Sequence, residues 1–330
     1  MSCPEPGARV VRVGVLGCAS IAWRRTLPAM AEAAGIVLTA VASRDPVRAR
    51  AFAERFGCAA VDGYPALLER PDVDAVYIPL PTGLHADWVS RSLAAGKHVL
   101  AEKPLTVSYQ EAEALVEQAS RAGLWLMENF MFLHHGQHLA VQKIIADGRV
   151  GEPRVFTASF GIPPLPPGDV RYRPELGGGS LLDVGVYPVR AAQLLLGTDL
   201  EVAGAVLHED PGTGVDIAGA ALMSAGSSAT AHLSFGFSHG YRCRYELWGS
   251  RGHLSLDRAF TPDPHWRPVI RIESQDHVEE LTLPAEHQFR NIAEFFARSV
   301  LAQADFAPQA RAILSQARLV AAIAACAVRR

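Results

Sequence analysis

The sequence predicts an α/β protein: a doubly wound parallel sheet at the amino end, then an α+β domain with a large, mostly antiparallel, open sheet. Short apolar runs alternate with helical patterns up to about residue 127. Beyond residue 128 the apolar runs lengthen and alternate with period two. The 330 residues are enough for two hydrophobic cores. We therefore expect one domain over residues 1–127 and a second over 128–330.

Turn and cap signals divide the first part into alternating strands and helices. Asp45 is placed to cap a helix that begins at Pro46 and ends at Gly57, and Ser108 with Glu111 forms a capping box before another helix. Strands that alternate with helices at this spacing pair in parallel. The apolar runs predict strands at residues 10–18, 37–43, 73–80, 97–101 and 124–127.

The second part is predicted to leave one sheet face uncovered. Within residues 229–237 the apolar side chains alternate with small polar ones such as His232 and Ser234, so only one face belongs to the core. Pairing the other face with a second copy is a common solution, and we expect a homo-oligomer, a dimer or tetramer, built through this sheet. Phe235 and Trp248 are interpreted as core residues rather than as a base-stacking platform.

Composition narrows the class of function. A net charge of -3 provides no general attraction to nucleic acid or to an anionic membrane. We find neither a leader with a basic stretch and an apolar core nor an apolar run of ~18 residues. Five scattered cysteines without a CxxC pair suit reduced thiols. These features favour small-molecule chemistry in the cytoplasm, without a nucleic-acid or membrane partner.

The first strand ends in a dinucleotide-binding turn. The sequence reads G-x-G-x-x-A with alanine in the second glycine position, between a predicted strand and a predicted helix. Backbone amides at the start of that helix can bind a pyrophosphate, so the first domain is predicted to be a Rossmann domain. The residues of this turn are Gly17, Cys18, Ala19, Ser20, Ile21 and Ala22.

The end of the second strand distinguishes NADP from NAD. NAD sites usually place a carboxylate there, but this chain has Ser43 and Arg44, while Asp45 is better used as the helix cap. Arg44 can bind the 2′-phosphate bidentately beside the Ser43 hydroxyl, and Arg48 adds positive charge one turn later. NADPH or NADP is therefore the predicted cofactor. The alternative is that Arg44 and Arg48 lie on a solvated helix edge and do not contact the cofactor.

Two further motifs follow: Ala101-Glu102-Lys103-Pro104 at the end of a strand, and the segment Gly177–Tyr187, GGGSLLDVGVY. With them the chain resembles the glucose-fructose oxidoreductase and inositol 2-dehydrogenase family (Gfo/Idh/MocA) over essentially its whole length. The family pattern usually ends in histidine, and Tyr187 takes that place here, as in the branch that includes glucose-fructose oxidoreductase. This departure makes the acid/base assignment less direct.

Within the family, six segments are similar to the sugar 3-ketoreductases of deoxysugar biosynthesis, of the kijanose-pathway type. They are CASIAWRRTLPA, DGYPALLE, LPTGLHADW, HVLAEKPLT, MENFMFLHH and GDVRYRPELGGGSLLDVGVYPVRAA. That resemblance implies NADPH and a dTDP-linked 3,4-diketo-2,6-dideoxyhexose reduced at C3. It also implies cofactor contacts from matching positions. These are Trp23, Arg24, Tyr64, Leu80, His85, Glu102 and Lys103.

The chemistry of ketone reduction assigns roles to the motif residues. Hydride transfer makes the carbonyl oxygen an alkoxide, so a cation or proton donor must reach that oxygen. Lys103 can do both, and Tyr187 can assist because a neighbouring ammonium favours the phenolate. If the segment from Leu181 is helical, Asp183 and Tyr187 share one face, and Asp183 is assigned to orient substrate hydroxyls. Whether Lys103 or Tyr187 delivers the proton stays open at this point. Tyr187 could instead be a packed core tyrosine.

Several other residues have two readings. His85 either caps its helix or lies near the nicotinamide. His134 and His138 have a spacing that metal ligands use, but no third ligand completes a site, so no metal is predicted. The nucleotide diphosphate of the substrate could be held by arginines and the Pro-rich loop over residues 162–174. The residues proposed for it are Arg25, Tyr172 and Arg173.

Two other functions remain open at this point. The first is a free-sugar or dihydrodiol NADP-dependent dehydrogenase of the same family, which would need no nucleotide handle. The second is a non-catalytic NADP-binding sensor, against which the joint presence of Lys103, Asp183 and Tyr187 argues.

Overall fold

The computed structural model describes residues 9–226 and 228–330. The chain forms two compact units. Of the described residues, the first unit contains those up to His134 together with Gln288–Leu314, and the second contains those within His135–His287 and Ser315–Arg330. The predicted break after residue 127 falls near the first transition, but a later stretch of chain rejoins the first unit. No described helix has the length and apolar character needed to cross a membrane.

The first unit is built on a six-stranded parallel sheet with the order β3-β2-β1-β4-β5-β6. This order reverses between β1 and β4, which is where doubly wound sheets bind ligands, beyond the carboxyl ends of the strands. The strands are β1 (Val11–Leu16), β2 (Ile36–Ser43), β3 (Ala59–Asp62), β4 (Ala75–Ile78), β5 (His98–Ala101) and β6 (Leu126–Glu128). The short β3 was not predicted from the sequence.

Two helices of the first unit begin at the cap residues expected from the sequence. Asp45 Oδ1 accepts hydrogen bonds from the amides of Val47 and Arg48, and Gly57 ends that helix with a left-handed φ of 66°. Ser108 caps the next long helix. The helices of the first unit are α1 (Leu27–Glu32), α2 (Pro46–Phe56), α3 (Tyr64–Leu68), α4 (His85–Ala94), α5 (Tyr109–Ala122) and α8 (Gln288–Leu301).

The second unit is built on a nine-stranded sheet with the order β14-β13-β12-β11-β7-β10-β9-β8-β15. Only the β7–β10 and β8–β15 pairs are parallel, so the expectation of a mostly antiparallel sheet is confirmed. Its strands are β7 (Pro153–Gly161), β8 (Leu200–Glu209), β9 (Asp216–Ala225), β10 (Ala229–Gly236), β11 (Arg242–Gly249), β12 (His253–Asp257), β13 (Val269–Ser274), β14 (His277–Thr282) and β15 (Ala327–Arg329). Helices α6 (Gly136–Ala146), α7 (Val186–Leu196) and α9 (Ala307–Cys326) complete the described elements.

Helix α7 packs against β7 and β10 on one face of the nine-stranded sheet. Phe235 of β10 is 2% exposed, as predicted, whereas Trp248 of β11 is 65% exposed, so its assignment to the core was wrong. The period-two alternation of β11 explains the difference, because Leu247 points into the core and its neighbour must point out. The outward face of the sheet that carries Trp248 also carries Leu222, which is 44% exposed and pairs with His232 of β10.

Candidate active site

The turn after β1 has the shape required for close approach of a ligand. Gly17 has a φ of +120°, and a Cβ atom there would lie 2.7 Å from Leu80 Cδ2 and 3.8 Å from the Tyr64 hydroxyl. A side chain at this position would therefore fill the space above the turn. Gly17, Leu80 and Tyr64, three residues proposed to bind the cofactor, are brought together at the carboxyl edge of the sheet.

A cationic group lies where β2 ends. Arg44 is adjacent to the Tyr64 hydroxyl, and while burial raises the pKa of Tyr64, Arg44 partly offsets that rise. Arg48 donates to the Cys18 carbonyl at 2.6 Å, so it braces the turn after β1. Ser43 accepts from the amide of Asp45 at 3.1 Å. Because the Asp45 carboxylate is used as the helix cap, this edge offers a guanidinium rather than a carboxylate to the adenosine ribose.

The helix that follows the turn starts irregularly. Residues Ala22–Thr26 form a π-helical turn that leads directly into α1, and such turns are frequent at functional sites. Trp23 does not point into open space, because it packs against Phe52 and Phe56 of α2. Arg24 and Arg25 are exposed.

Glu102 is held by a buried network within the first unit. The Tyr77 hydroxyl donates to Glu102 Oε1 at 2.6 Å and lies 3.0 Å from Thr26 Oγ1. Asn129 Nδ2 donates to the same Glu102 oxygen at 2.7 Å. Tyr77 is fully buried. The Glu102 carboxylate is therefore fixed from β4 and from the residue after β6, and Thr26 in turn contacts the Tyr77 hydroxyl. Neither Tyr77 nor Asn129 was among the predicted site residues, although Asn129 lies within the segment MENFMFLHH.

His85 connects two loops at the carboxyl edge of the sheet. Its Nδ1 and Nε2 atoms lie 2.9 Å from the Pro104 carbonyl and 2.7 Å from the Leu80 carbonyl, and one of them donates in the neutral ring. Burial lowers the pKa of His85. Its side chain makes no cap hydrogen bond to α4, so the capping interpretation was wrong. The Lys103–Pro104 peptide is cis. Glu128 accepts from the Leu105 amide at 2.8 Å, so His85 and Glu128 together hold the two residues that follow Lys103.

The glycine run Gly177–Gly179 lets neighbouring groups come close to this part of the chain. A Cβ at Gly178 would lie 2.6 Å from the Arg171 carbonyl oxygen, and a Cβ at Gly179 would clash with the Asp216 carboxylate. Asp216 Oδ2 accepts from the Ser180 hydroxyl and the Leu181 amide, both at 2.7 Å. The glycine run thus lets the loop before it and the start of β9 fix the segment that carries Asp183.

Asp183 is paired with an arginine that the sequence did not single out. Arg171 Nε donates to Asp183 Oδ2 at 2.7 Å, and Arg171 Nη1 lies 3.2 Å from Asp169 Oδ1. Asp183 raises the pKa of Arg171, with Asp169 adding to the effect. Arg171 lies in the Pro-rich loop beside Tyr172 and Arg173, the residues that were chosen instead. The loop therefore contributes a cation directly to the proposed catalytic segment.

Tyr187 lies on the same helical segment as Asp183, which begins with a π-helical turn over Leu181–Gly185 and continues as α7. Its ring packs edge-on against Phe160 at 5.2 Å between ring centroids and against Phe260 at 5.7 Å. Tyr187 is 5% exposed. The core-packing interpretation therefore describes its ring, which lies against two other aromatic rings.

The remaining candidates have other partners. Tyr172 accepts from the Leu165 amide at 3.1 Å and packs on Phe237, while Arg173 pairs with Glu175 near the surface. His138 lies between the Tyr245 hydroxyl and the Ala259 carbonyl, and burial lowers its pKa to about 3. Within residues 9–226 and 228–330, no group of three or more His, Cys, Asp or Glu side chains is arranged to hold a metal.

Comparison with known proteins identifies both units. Residues 11–130 match the oxidoreductase family with an NAD-binding Rossmann fold, and residues 138–255 match the GFO/IDH/MocA C-terminal domain. The chain belongs to the GFO/IDH/MocA family. The resemblance inferred from Glu102-Lys103-Pro104 (the EKP motif) and from the glycine run of Gly177–Tyr187 (the GGG motif) is confirmed. The predicted α/β class is confirmed as well.

Individual relatives in the GFO/IDH/MocA family are similar over nearly the whole chain. The dTDP-3,4-didehydro-2,6-dideoxy-α-D-glucose 3-reductase of Saccharopolyspora spinosa is 56% identical over 292 residues, 88% of each chain. The enzyme of the same name from Actinomadura kijaniata is 52% identical over 96% of this chain and 95% of its own. The crystal structure of KijD10, a 3-ketoreductase from Actinomadura kijaniata in complex with NADP and TDP-benzene, superposes with a TM-score of 0.95 at 52% identity, covering 97% of this chain and 99% of the other.

Proposed function

We propose that this chain is an NADPH-dependent 3-ketoreductase that acts on a dTDP-linked 3,4-diketo-2,6-dideoxyhexose in deoxysugar and antibiotic biosynthesis. The observation that carries the proposal is the 56% identity, over 88% of both chains, to a reductase named for this substrate. A shared fold does not by itself determine the reaction, so the site residues must suit the reaction as well. The site residues present here suit a ketone reductase.

The carboxyl edge of the six-stranded sheet fits NADP. Gly17 keeps the turn open for the pyrophosphate, and Arg44 beside Tyr64 offers a guanidinium fork to the 2′-phosphate. We propose that Ser43 assists Arg44 and that Glu102, fixed by Tyr77, faces the nicotinamide side. Arg48 would support the cofactor site indirectly, because it donates to the Cys18 carbonyl in the turn after β1.

Bound NADPH supplies the hydride that adds to C3 of the sugar. As the hydride adds, the C3 oxygen gains negative charge and must receive a proton. We propose that Lys103 and Tyr187 serve this oxygen, the ammonium stabilising the charge and one of the two groups donating the proton. C3 and C4 are both carbonyls in this substrate. The ring hydroxyl that Asp183, held by Arg171, would orient is therefore the one that reduction creates at C3.

The proposal is tested by incubating the protein with NADPH and the diketo sugar, generated in place from its precursor, and following NADPH oxidation. We expect turnover with the dTDP-linked sugar, and thermal stabilisation by dTDP once NADP is bound. Turnover of a free sugar without stabilisation by dTDP would favour the free-sugar dehydrogenase. An absence of NADPH oxidation with every keto-sugar tried would favour the sensor.

We also propose a cytoplasmic homo-oligomer that uses the outward face of the nine-stranded sheet. Leu222 and Trp248 are large apolar residues on that face, and such patches often mark interfaces. Cys18, Cys58, Cys243 and Cys326 are free thiols, in keeping with a reducing compartment. Light scattering on Trp248→Arg tests the interface: a smaller assembly than the wild type supports it, and an unchanged mass contradicts it.

A further inference from the structure

A cavity of about 910 Å³ lies within the first unit, and the residues that line it all belong to that unit. Four of them lie at or within two residues of the starts of β1, β4, β5 and β6, namely Val11, Asp74, His98 and Leu124. The cavity therefore lies at the amino edge of the six-stranded sheet, opposite to the edge that carries the proposed cofactor turn. We call it the amino-edge cavity. Its volume is typical of small-molecule sites.

A second wall of the amino-edge cavity comes from the later stretch of chain that rejoins the first unit. Leu301 ends α8, and Leu314 lies in the second turn of α9. Trp125 connects this wall to the sheet, because its Nε1 atom donates to the Ala304 carbonyl at 2.9 Å. The Trp125 ring also packs edge-on against Phe306, at 6.3 Å between ring centroids. Aromatic and leucine side chains therefore form an apolar part of the lining.

The main hydrogen-bond acceptors of the lining already have partners. Asp74 accepts from Arg12 Nη2 at 2.6 Å and from Arg12 Nε at 2.9 Å, and this contact lowers the pKa of Asp74. Asp305 Oδ1 accepts from the first amide of α9 at 3.0 Å. The Ala119 carbonyl, near the end of α5, accepts from the Leu124 amide at 3.0 Å. These oxygens are therefore occupied within the protein.

The donors of the lining are in a different position. Arg9 and Arg311 line the cavity, and neither guanidinium forms an ion pair with a described residue. His98 Nδ1 accepts from the Trp125 amide at 2.9 Å, so the neutral ring carries its hydrogen on Nε2. Burial lowers the pKa of His98, which favours that neutral form. Within residues 9–226 and 228–330 no group accepts from His98 Nε2. These donors therefore remain available to a ligand.

The charge of the lining favours an anion. Asp74 is balanced by Arg12, which leaves Asp305 as the carboxylate that opposes the guanidinium groups of Arg9 and Arg311. The described lining residues therefore keep one net positive charge. Guanidinium groups bind carboxylate and phosphate oxygens through paired N–H donors. A cation or a neutral sugar would leave those donors without acceptors.

We infer that the amino-edge cavity binds a small organic oxyanion with an apolar body, with the charged group at Arg9 and Arg311 and the apolar body against Phe306 and Leu301. Carboxylates and phosphate monoesters share this chemistry. The guanidinium groups select for charge, while the apolar surface adds affinity in proportion to the area that it buries. The site requires neither NADP nor a sugar, so it is independent of the proposed function.

The test titrates the NADP-loaded protein with phenylacetate and with phenyl phosphate, followed by ligand-observed NMR. Bound NADP keeps both probes out of the cofactor site. Probes of this size should bind with a Kd of about 1–10 mM. Phenylacetamide has the shape of phenylacetate without its charge, and its Kd should be at least about 5-fold higher because the guanidinium groups gain no anionic partner.

Arginine variants locate the bound probe. Arg9→Met and Arg311→Met should each raise Kd for the oxyanion about 3-fold to 10-fold, the factor expected for one solvent-exposed charged contact. Arg311→Lys keeps the charge and should recover part of the affinity. Arg91→Met is the matched control, because Arg91 is an exposed arginine of α4 in the same unit that pairs with Asp87. It should leave Kd unchanged.

Several results would overturn the assignment. They are binding of neither oxyanion at about 20 mM, binding of phenylacetamide as tight as that of phenylacetate, and a wild-type Kd in both Arg9→Met and Arg311→Met, since the probe would then occupy another site. An equal loss of affinity in Arg91→Met would also overturn it. Binding of phenylacetate alone identifies the ligand as a carboxylate, and binding of phenyl phosphate alone identifies it as a phosphate ester; each supports the site. Turnover of the keto-sugar does not enter the test, so its failure leaves the proposed function standing.

Discussion

Replacing Arg171 with methionine tests whether the Pro-rich loop controls the catalytic segment. The change keeps a long apolar side chain but removes the donor to Asp183 Oδ2 at 2.7 Å and the cation shared with Asp169. Asp183 and Asp169 then lose the cation that they share, and Asp183 loses one of the contacts that hold its orientation. We expect both a small loss of stability and a larger loss of turnover.

The magnitudes follow from the exposure of the pair. A hydrogen bond between charged groups contributes about 1.5–3 kcal/mol when shielded from solvent, but the side chains of Arg171 and Asp183 are 40% and 20% exposed. Solvent screening reduces the contribution to about 1 kcal/mol, a Tm decrease of about 2–4 °C. A misplaced catalytic carboxylate has a larger effect, and kcat should fall about 10-fold to 100-fold.

The assay compares kcat, KM for the keto-sugar and Tm for wild type, Arg171→Met and Arg171→Lys. Lysine retains the charge with a single donor group, so it should recover part of kcat. Arg173→Met is the control, because the Arg173 side chain lies in the same loop but forms its ion pair with Glu175, near the surface. Wild-type kcat in Arg171→Met, or an equal decrease in Arg173→Met, would refute the idea that Arg171 positions Asp183.

Three other predictions concern the cofactor, the proton donors and a buried histidine. Arg44→Ala should raise Kd for NADPH at least tenfold and leave Kd for NADH nearly unchanged, because only NADPH carries the 2′-phosphate; equal changes for both cofactors, measured by fluorescence titration, would contradict the assignment. Lys103→Ala and Tyr187→Phe should each lower kcat by ~10²-fold or more with NADPH binding retained, and normal turnover in both would discard the roles given to them. His138 stays neutral in the folded protein because burial lowers its pKa to about 3, whereas the unfolded chain binds a proton below about 6.5. The unfolding free energy should therefore fall by up to about 1.4 kcal/mol per pH unit from pH 6.5 towards 3. Denaturant titrations at several pH values should show that the unfolding free energy of His138→Gln depends less steeply on pH.

Local sequence signals determined the fold of the first unit well. Asp45, Pro46 and Gly57 marked both ends of α2, and Ser108 marked the start of α5, because caps depend on residues within one turn of each other. The short elements β3 and α3 escaped prediction, since five or fewer residues show too little periodicity. Glycine-rich turns and the EKP and GGG motifs located most of the candidate site for the same reason: each motif is contiguous.

Tertiary structure alone decided which side chains meet across long separations. Neither Arg171 nor Tyr77 was assigned a role from the sequence, yet Arg171 pairs with Asp183 and Tyr77 fixes Glu102 from a different strand. Trp248 was placed in the core from its residue type, but the register of β11 turns it outward. The sequence determines local conformation through short-range sterics and hydrogen bonds, whereas partner choice depends on how strands and loops pack, which no single segment encodes.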